Sequence, residues 1–252
     1  MYTYEMHCHE YLSSKCGRFT PEELARTYAQ QGFDGIVVTD HFFNGNCAIN
    51  WDLPWKERVE QFCSGYEQVK EAGKKYGLDV FFGFEYSVNN RPGGKYFCNP
   101  AHPEKNSPVG CDFLIYGLGK EWLLSKDESI LDMEVNDFMQ MVRKEGGFVV
   151  QAHPFRLEKN YMNHISLFPL FTDGVEVLNS KPNTMGRANK LAKKYAKEYN
   201  FYRIAGSDAH GNDREYFAVV KTSEKAESIH DLIRQIKERT VKLALKKNKI
   251  HE

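Results

Sequence analysis

Two hydrophobic periods alternate along the 252-residue chain. Short runs rich in β-branched and aromatic residues recur at 3–9, 35–40, 79–85, 112–118, 147–153, 174–178, 202–208 and 217–221, and read as strands. Stretches with the 3.6-residue period of amphipathic helices fall between them at 56–76, 130–144, 184–199 and 226–239. A further helix starts at Thr20-Pro21-Glu22-Glu23, which offers an N-cap hydroxyl, a proline at the first helical position and a capping-box glutamate; it runs to about Gln31 and is closed by Gly32. Gly65 marks a point where the 56–76 helix is expected to be interrupted. Strand and helix in alternation predict an α/β fold, and eight strands suit one barrel domain filling residues 1–252. Segment 89–111, dense in proline and glycine, departs from both periods and is expected to be a lid or insertion loop.

Charge narrows the function classes. Lys and Arg number 34 and Asp and Glu also 34, a formal net charge of zero. A polyanion binder draws affinity from a concentrated cationic surface, so nucleic acid is a less suitable partner than a small molecule. Apolar runs such as 36–38 and 148–150 fall far short of the roughly 20 residues that span a bilayer, so no membrane partner is expected. The opening residues show no basic and apolar leader pattern, which reads as cytoplasmic. The six cysteines lie in the first half without CxxC spacing, so free thiols are expected rather than a disulfide framework or zinc finger. Oligomeric state is not written in these features.

Candidate chemistry sits at strand ends. His7 and His9 are two apart, which in a strand places both imidazoles on one face. Asp40-His41 closes the second run, Glu85 the third and His153 the fifth, while Asp208 and His210 follow the seventh. Strand C-termini of a parallel barrel share one face, where active sites assemble. Asp112 stands at the beginning of its run and fits that face only if its strand runs in the opposite sense. A single histidine is ordinarily a core or surface group; this ordered series is not explained that way. His164, His230 and His251 lie in loop, helix and tail contexts and read as ordinary surface residues, and His102 in the 89–111 segment is open. Cys8, between the two histidines, should face the core. Arg156 has two readings, a bidentate phosphate fork or a surface salt bridge. Arg91 and Lys95 fit a solvated loop. Glu176 and Asn179 fit either orientation of ligand imidazoles or a structural role at the rim.

The motifs His7-Cys8-His9, Thr39-Asp40-His41, Gly83-Phe84-Glu85, Ala152-His153-Pro154 and Gly206-Ser207-Asp208-Ala209-His210 occur in an order that resembles the PHP family, named for its polymerase and histidinol phosphatase members. The likeness runs from about residue 3 to 220. It implies a distorted (β/α)7 barrel holding two or three divalent ions (Mn2+, Zn2+ or Fe2+) and acting as a phosphoesterase. It further implies that His7, His9, Glu85 and Asp208 hold one ion, that Glu85 bridges to a second also held by His153, and that His41 and His210 contribute to a third. Two positions depart from the pattern. Ser14 and Lys15 stand where many members carry Asp or His, which leaves the third ion absent, weak, or completed by water, Glu10 or Cys16. Asp112 stands where a His often precedes the fourth run, and as a carboxylate ligand it would favour a harder metal such as Mn2+.

A carboxylate bridging two cations roughly 3.5–4 Å apart acidifies a shared water into a hydroxide nucleophile, so phosphorus can be attacked with no Ser or Cys nucleophile. Glu85, Asp208 and Arg156 are the catalytic candidates. The leading reading is a metal-dependent phosphatase for a small phosphorylated substrate. Two alternatives remain open: an amidohydrolase-type metal hydrolase, which lacks here an obvious metal-bridging Lys after a middle strand, and a non-enzymatic metal-binding module with a degenerate site.

Overall fold

The computed structural model describes residues 1–88, 111–158 and 165–249. The expected lid therefore lies outside the described residues apart from Cys111, as do Arg91, Lys95, His102, His164 and His251. The chain runs β1 (Tyr2–Cys8), α1 (Pro21–Gln30), β2 (Gly35–Val38), α2 (Trp55–Tyr76), β3 (Asp79–Ser87), β4 (Asp112–Tyr116), α3 (Lys120–Leu124), α4 (Val135–Lys144), β5 (Phe148–Gln151), β6 (Gly174–Asn179), α5 (Arg187–Glu198), β7 (Tyr202–Gly206), β8 (Tyr216–Thr222), α6 (Ile229–Lys237) and β9 (Lys242–Lys247). A single 310 turn, Glu128–Leu131, precedes α4 where the sequence pattern places helix from residue 130. Among the described residues, no helix is long and apolar enough to cross a membrane.

Nine strands form one sheet in the order β7-β6-β5-β4-β3-β2-β1-β8-β9. β1, β2 and β3 are mutually parallel, as are β5, β6 and β7, whereas β4 is antiparallel to both neighbours. β8 and β9 continue the sheet as antiparallel strands beyond β1. The sheet curls into a nearly closed, distorted α/β barrel. β9 is missing from the sequence reading because Lys-Leu-Ala-Leu-Lys-Lys is a charged edge strand, the composition that blunts unwanted pairing.

At the seam between β1 and β7 the main-chain ladder reduces to the Cys8–Ala209 bridge. A side chain supplements it. The fully buried Glu5 carboxylate accepts the His7 amide at 3.0 Å and the Ser207 amide at 2.8 Å, and its other oxygen accepts the Tyr28 hydroxyl at 3.1 Å. Burial pushes the Glu5 carboxyl up to about 7 against these hydrogen bonds.

Local signals explain most elements. α1 carries the expected capping box, with Thr20 Oγ1 accepting the Glu23 amide and Glu23 accepting the Thr20 amide. α5 begins three residues later than the pattern suggests, after a turn in which the Thr184 hydroxyl bonds Lys181 O and Asn179. Cys8 packs with Leu24, Tyr28 and Phe217, as its alternation predicts. Another apolar cluster joins Tyr4, Met6, Leu114 and Tyr116 to Leu232, Ile233 and Ile236 of α6.

The expected break at Gly65 does not occur: α2 is continuous. The glycine is needed for close approach instead. A Cβ there would strike the Glu10 carboxylate and come within 2.7 Å of the Ser13 hydroxyl. That carboxylate cannot swing away freely, since it caps the Leu12 and Ser13 amides at 2.6 and 2.8 Å. Overpacking costs about 1–3 kcal/mol and outweighs the ~1 kcal/mol helix-propensity gain of alanine. Gly65→Ala is thus expected to lower the urea midpoint, while Gly119→Ala, facing open space, leaves it in place; an unchanged midpoint for Gly65→Ala would contradict this packing.

Candidate metal centre

The strand ends converge as the parallel topology requires, and reversal of β4 brings Asp112 to the same face by its N-terminus. β1 delivers His7 and His9, although a register irregularity between Glu5 and Cys8 breaks the strict alternation assumed from spacing. Such bulges re-aim side chains beside active sites. Their ring centroids are 5.2 Å apart. The turn after β2 contributes His41, held by the His41–Glu85 bridge and by Phe42 N donating to Glu85 O at 2.8 Å.

Glu85 is the hub. Its Oε1 lies 3.3 Å from His7 Nε2 and 3.4 Å from His153 Nε2; its Oε2 lies 3.5 Å from His9 Nε2 and 2.8 Å from His41 Nδ1. Asp208 Oδ1 stands 3.7 and 3.5 Å from the Nε2 atoms of His7 and His9. Asp112 Oδ2 stands 3.9 Å from His153 Nε2. His7, His9 and Glu85 offer donor atoms within 4.8 Å of one another, as do Glu85, Asp112 and His153, and likewise His9, His41 and His210. His7 Nε2, His9 Nε2, His153 Nε2 and Glu85 Oε2 are buried with no aligned hydrogen-bond partner among the described residues. Buried polar atoms are rarely left so, and cations held by the two overlapping groups that share Glu85 would satisfy them. The donor set fits divalent ions.

Outer partners fix which nitrogen faces inward. Glu176 Oε1 lies 3.0 Å from His7 Nδ1, its Oε2 accepts the His153 amide at 2.9 Å, and Asn179 donates to that same oxygen at 2.9 Å. Glu176 is thus bonded to the His7 imidazole and to the main chain of His153, and Asn179 holds its outer oxygen in place. The His210 Nδ1 is 2.9 Å from Asp208 O. His153 and Asp208 adopt positive φ of 27° and 50°, backbone strain concentrated on two residues of this cluster.

The charges are interdependent. Burial pushes the His7 imidazole down, but Glu176, Glu85 and Asp208 outweigh it and hold its pKa well above the ordinary value. Burial, reinforced by His210 and His41, drives His9 well below. Against burial, His41 and His7 hold Glu85 well below the usual carboxylate range, and Lys181, His210 and Arg156 do the same for Asp208. Burial and the Glu85 charge raise Asp112. Cys16, whose thiol burial alone would raise, is brought down to about 6 by hydrogen bonds with His210 and His41.

Arg156 is buried, so the surface salt-bridge reading fails; its Nη1 donates to Asp208 Oδ2 at 2.6 Å. Lys181 Nζ donates to the same oxygen at 2.8 Å. Sequence reasoning passed over Lys181, although a Lys two residues beyond the end of β6 was a visible signal. Both line a cavity of about 740 Å3 with His41, Glu85, Asp112, Asp208 and His210. Glu10, a candidate for the third ion, caps its own turn, and Ser14, which stands where many members carry Asp or His, donates its hydroxyl to Asp40 at 2.7 Å. His230 is exposed at a separate cleft.

Fold and site together define a metal-binding barrel protein. The PHP domain model matches residues 5–245, and the chain belongs to that family. Among solved structures it is similar to a two-domain protein from Bacteroides vulgatus ATCC 8482 containing a predicted PHP-like metal-dependent phosphoesterase (TM-score 0.63, 15% identity, 96% of this chain and 64% of that one). It is also similar to a candidate metal-dependent phosphoesterase from Bifidobacterium adolescentis ATCC 15703 (TM-score 0.55, 15% identity, 95% and 96%) and to an amidohydrolase from Chromobacterium violaceum with bound sulfate and no metal (TM-score 0.50, 13% identity, 95% and 97%). At such identities the likeness shows the fold. The chain spans 64% of the length of the first of these proteins. No curated protein matches the sequence.

Cation binding at His7 has to displace the proton that Glu176, Glu85 and Asp208 retain there. Affinity should therefore rise with pH through the raised His7 pKa, and titration calorimetry in buffers of different ionisation enthalpy should report proton release. Binding with no proton exchange would contradict the assignment. Glu176→Gln should weaken metal binding about 10–100-fold by loosening His7 and His153; unchanged affinity would reduce Glu176 to a packing role.

Proposed function

We propose that the protein is a metal-dependent phosphoesterase acting on a small phosphorylated substrate, with His7, His9, Glu85 and Asp208 holding one divalent ion and Glu85, Asp112 and His153 a second. The observation that carries this reading is Glu85, whose two oxygens each face two imidazoles within 3.5 Å. Such ions supply an acidified water as nucleophile and neutralise the phosphoryl oxygens. Carboxylate and imidazole ligands together suit Mn2+, Zn2+ or Fe2+.

The cavity wall supports a phosphate-bearing substrate. Lys15, Arg18, Arg156, Lys181 and Arg214 face it, balanced by Glu85, Asp112, Glu158, Asp208 and Asp213. Five of each sign cancel, so any added divalent ion makes the cavity cationic and complementary to a phosphate. Arg156 and Lys181 are already held at the wall by Asp208 and can turn N–H donors toward phosphoryl oxygens without a search through rotamers. The volume suits a small molecule better than a polymer. An amidohydrolase-type reading draws only on fold likeness, and Lys181 pairs with Asp208 rather than standing between two ligand groups.

Mn2+-loaded protein should release inorganic phosphate from at least one member of a panel of sugar phosphates, nucleotides and p-nitrophenyl phosphate. His7→Ala should abolish release together with metal binding. Arg156→Ala should lower kcat/KM about 100-fold, as loss of one preorganised donor does. A metal-loaded protein inert toward the whole panel would overturn the phosphoesterase reading.

A further inference from the structure

One buried cation in the cavity wall has no counter-charge at ion-pair distance. Arg214 is 9% exposed and lines the 740 Å3 cavity beside Asp208 and His210. Its neighbours in that wall are paired, Arg156 and Lys181 with the Asp208 carboxylate and Arg18 with Asp213. Arg214 Nη2 donates to the Asp208 carbonyl at 2.7 Å, Nε is buried with no partner, and among the described residues Nη1 meets neither a hydrogen-bond acceptor nor a carboxylate. A guanidinium taken out of water without an anion is costly, and an anionic ligand entering the cavity relieves that cost.

The backbone that presents Arg214 is pinned from the far end of the chain. Asn248, the residue after β9, is fully buried. Its Nδ2 donates to Arg214 O at 2.8 Å and to Asn212 Oδ1 at 3.0 Å, and its amide donates to Glu215 O at 2.9 Å. Gln31 Nε2 donates to Asn248 Oδ1 at 2.7 Å and so ties the same residue to the end of α1. The guanidinium is held in place before a ligand arrives, and little ordering entropy opposes binding.

Asp208 divides the cations of the wall. Its carboxylate takes Arg156 and Lys181, the pair that can turn toward phosphoryl oxygens, while its main chain takes Arg214. The charges of the wall cancel, so two divalent ions bring in more positive charge than one phosphomonoester dianion offsets. Negative charge is still wanted on the Arg214 side.

We propose that Arg214 is a specificity-determining residue that holds a second oxyanion of the substrate, so that the cavity takes a phosphomonoester carrying a further phosphate or carboxylate. Asn248 is its positioning residue. The inference rests on the reading of the cavity as a metal-dependent phosphoesterase site and adds the class of substrate.

The test is calorimetric binding of three phosphonates of one chain length to the Mn2+-loaded protein, since a phosphonate keeps the charge without a scissile ester. Wild type should bind phosphonopropionate or propane diphosphonate about 10–100-fold tighter than propylphosphonate, the yield of one charge-assisted hydrogen bond, and the larger gain identifies the second group as carboxylate or phosphate. Arg214→Gln should erase the preference, Arg214→Lys should retain part of it, and Asn248→Ala should narrow it at an unchanged ion count, with circular dichroism reporting that each variant is folded. Equal affinity for all three ligands in wild type, or a preference that survives Arg214→Gln, would overturn the second-oxyanion assignment and leave the phosphoesterase reading standing. Failure to bind any of the three would overturn both.

Discussion

The arrangement depends on one buried carboxylate. Glu85 is 1% exposed and faces His7, His9, His41 and His153 from three separate strand ends. An isolated ionised carboxylate at that depth is costly, and it is kept charged only by what surrounds it. Without cations the imidazoles must supply the positive charge, and they do so unevenly: His7 is held protonated while His9 is driven neutral. Divalent ions held by these side chains would resolve this conflict by supplying the positive charge that the inward nitrogens and Glu85 oxygens face.

The distortions of the barrel serve that convergence. Reversing β4 presents Asp112 at the rim beside His153, a place a parallel strand would fill with its other end. The irregularity in β1 lies within the segment that carries His7, and a second in β6 follows Glu176, which orients His7. At the β1–β7 seam the Glu5 carboxylate ties the His7 amide to that of Ser207, the residue before Asp208. Positive φ at His153 and Asp208 adds strain where donors must be aimed. The scaffold departs from regularity at the residues that face the centre.

Much of this was legible in the chain. Strand periodicity located β1 to β8, and the Asp112 position already pointed to a reversed strand as one way of reaching the shared face. The ordered histidine and carboxylate motifs marked the rim because chemistry at strand ends is local in sequence. What escaped was set by tertiary neighbours. Gly65 reads as a helix breaker from propensity, yet it is there because Glu10 passes against α2. Lys181 carries no local signal beyond its offset from β6, and its meaning comes from Asp208, far along the chain. Arg156 could be a surface residue in sequence, and only packing buries it. β9 was hidden because an edge strand rich in lysine resembles a solvated tail. Cys16 drew notice only as one filler among several; its alignment with His41 depends on a turn pinned to His210.

The central claim is that Glu85 bridges two cations. Electron paramagnetic resonance of the Mn2+-loaded protein tests it most directly, because two manganese ions sharing a carboxylate are exchange-coupled. The account predicts the multiline spectrum of a coupled pair in wild type, replaced by isolated six-line signals in Glu85→Ala. Isolated six-line signals in fully loaded wild-type protein would contradict it.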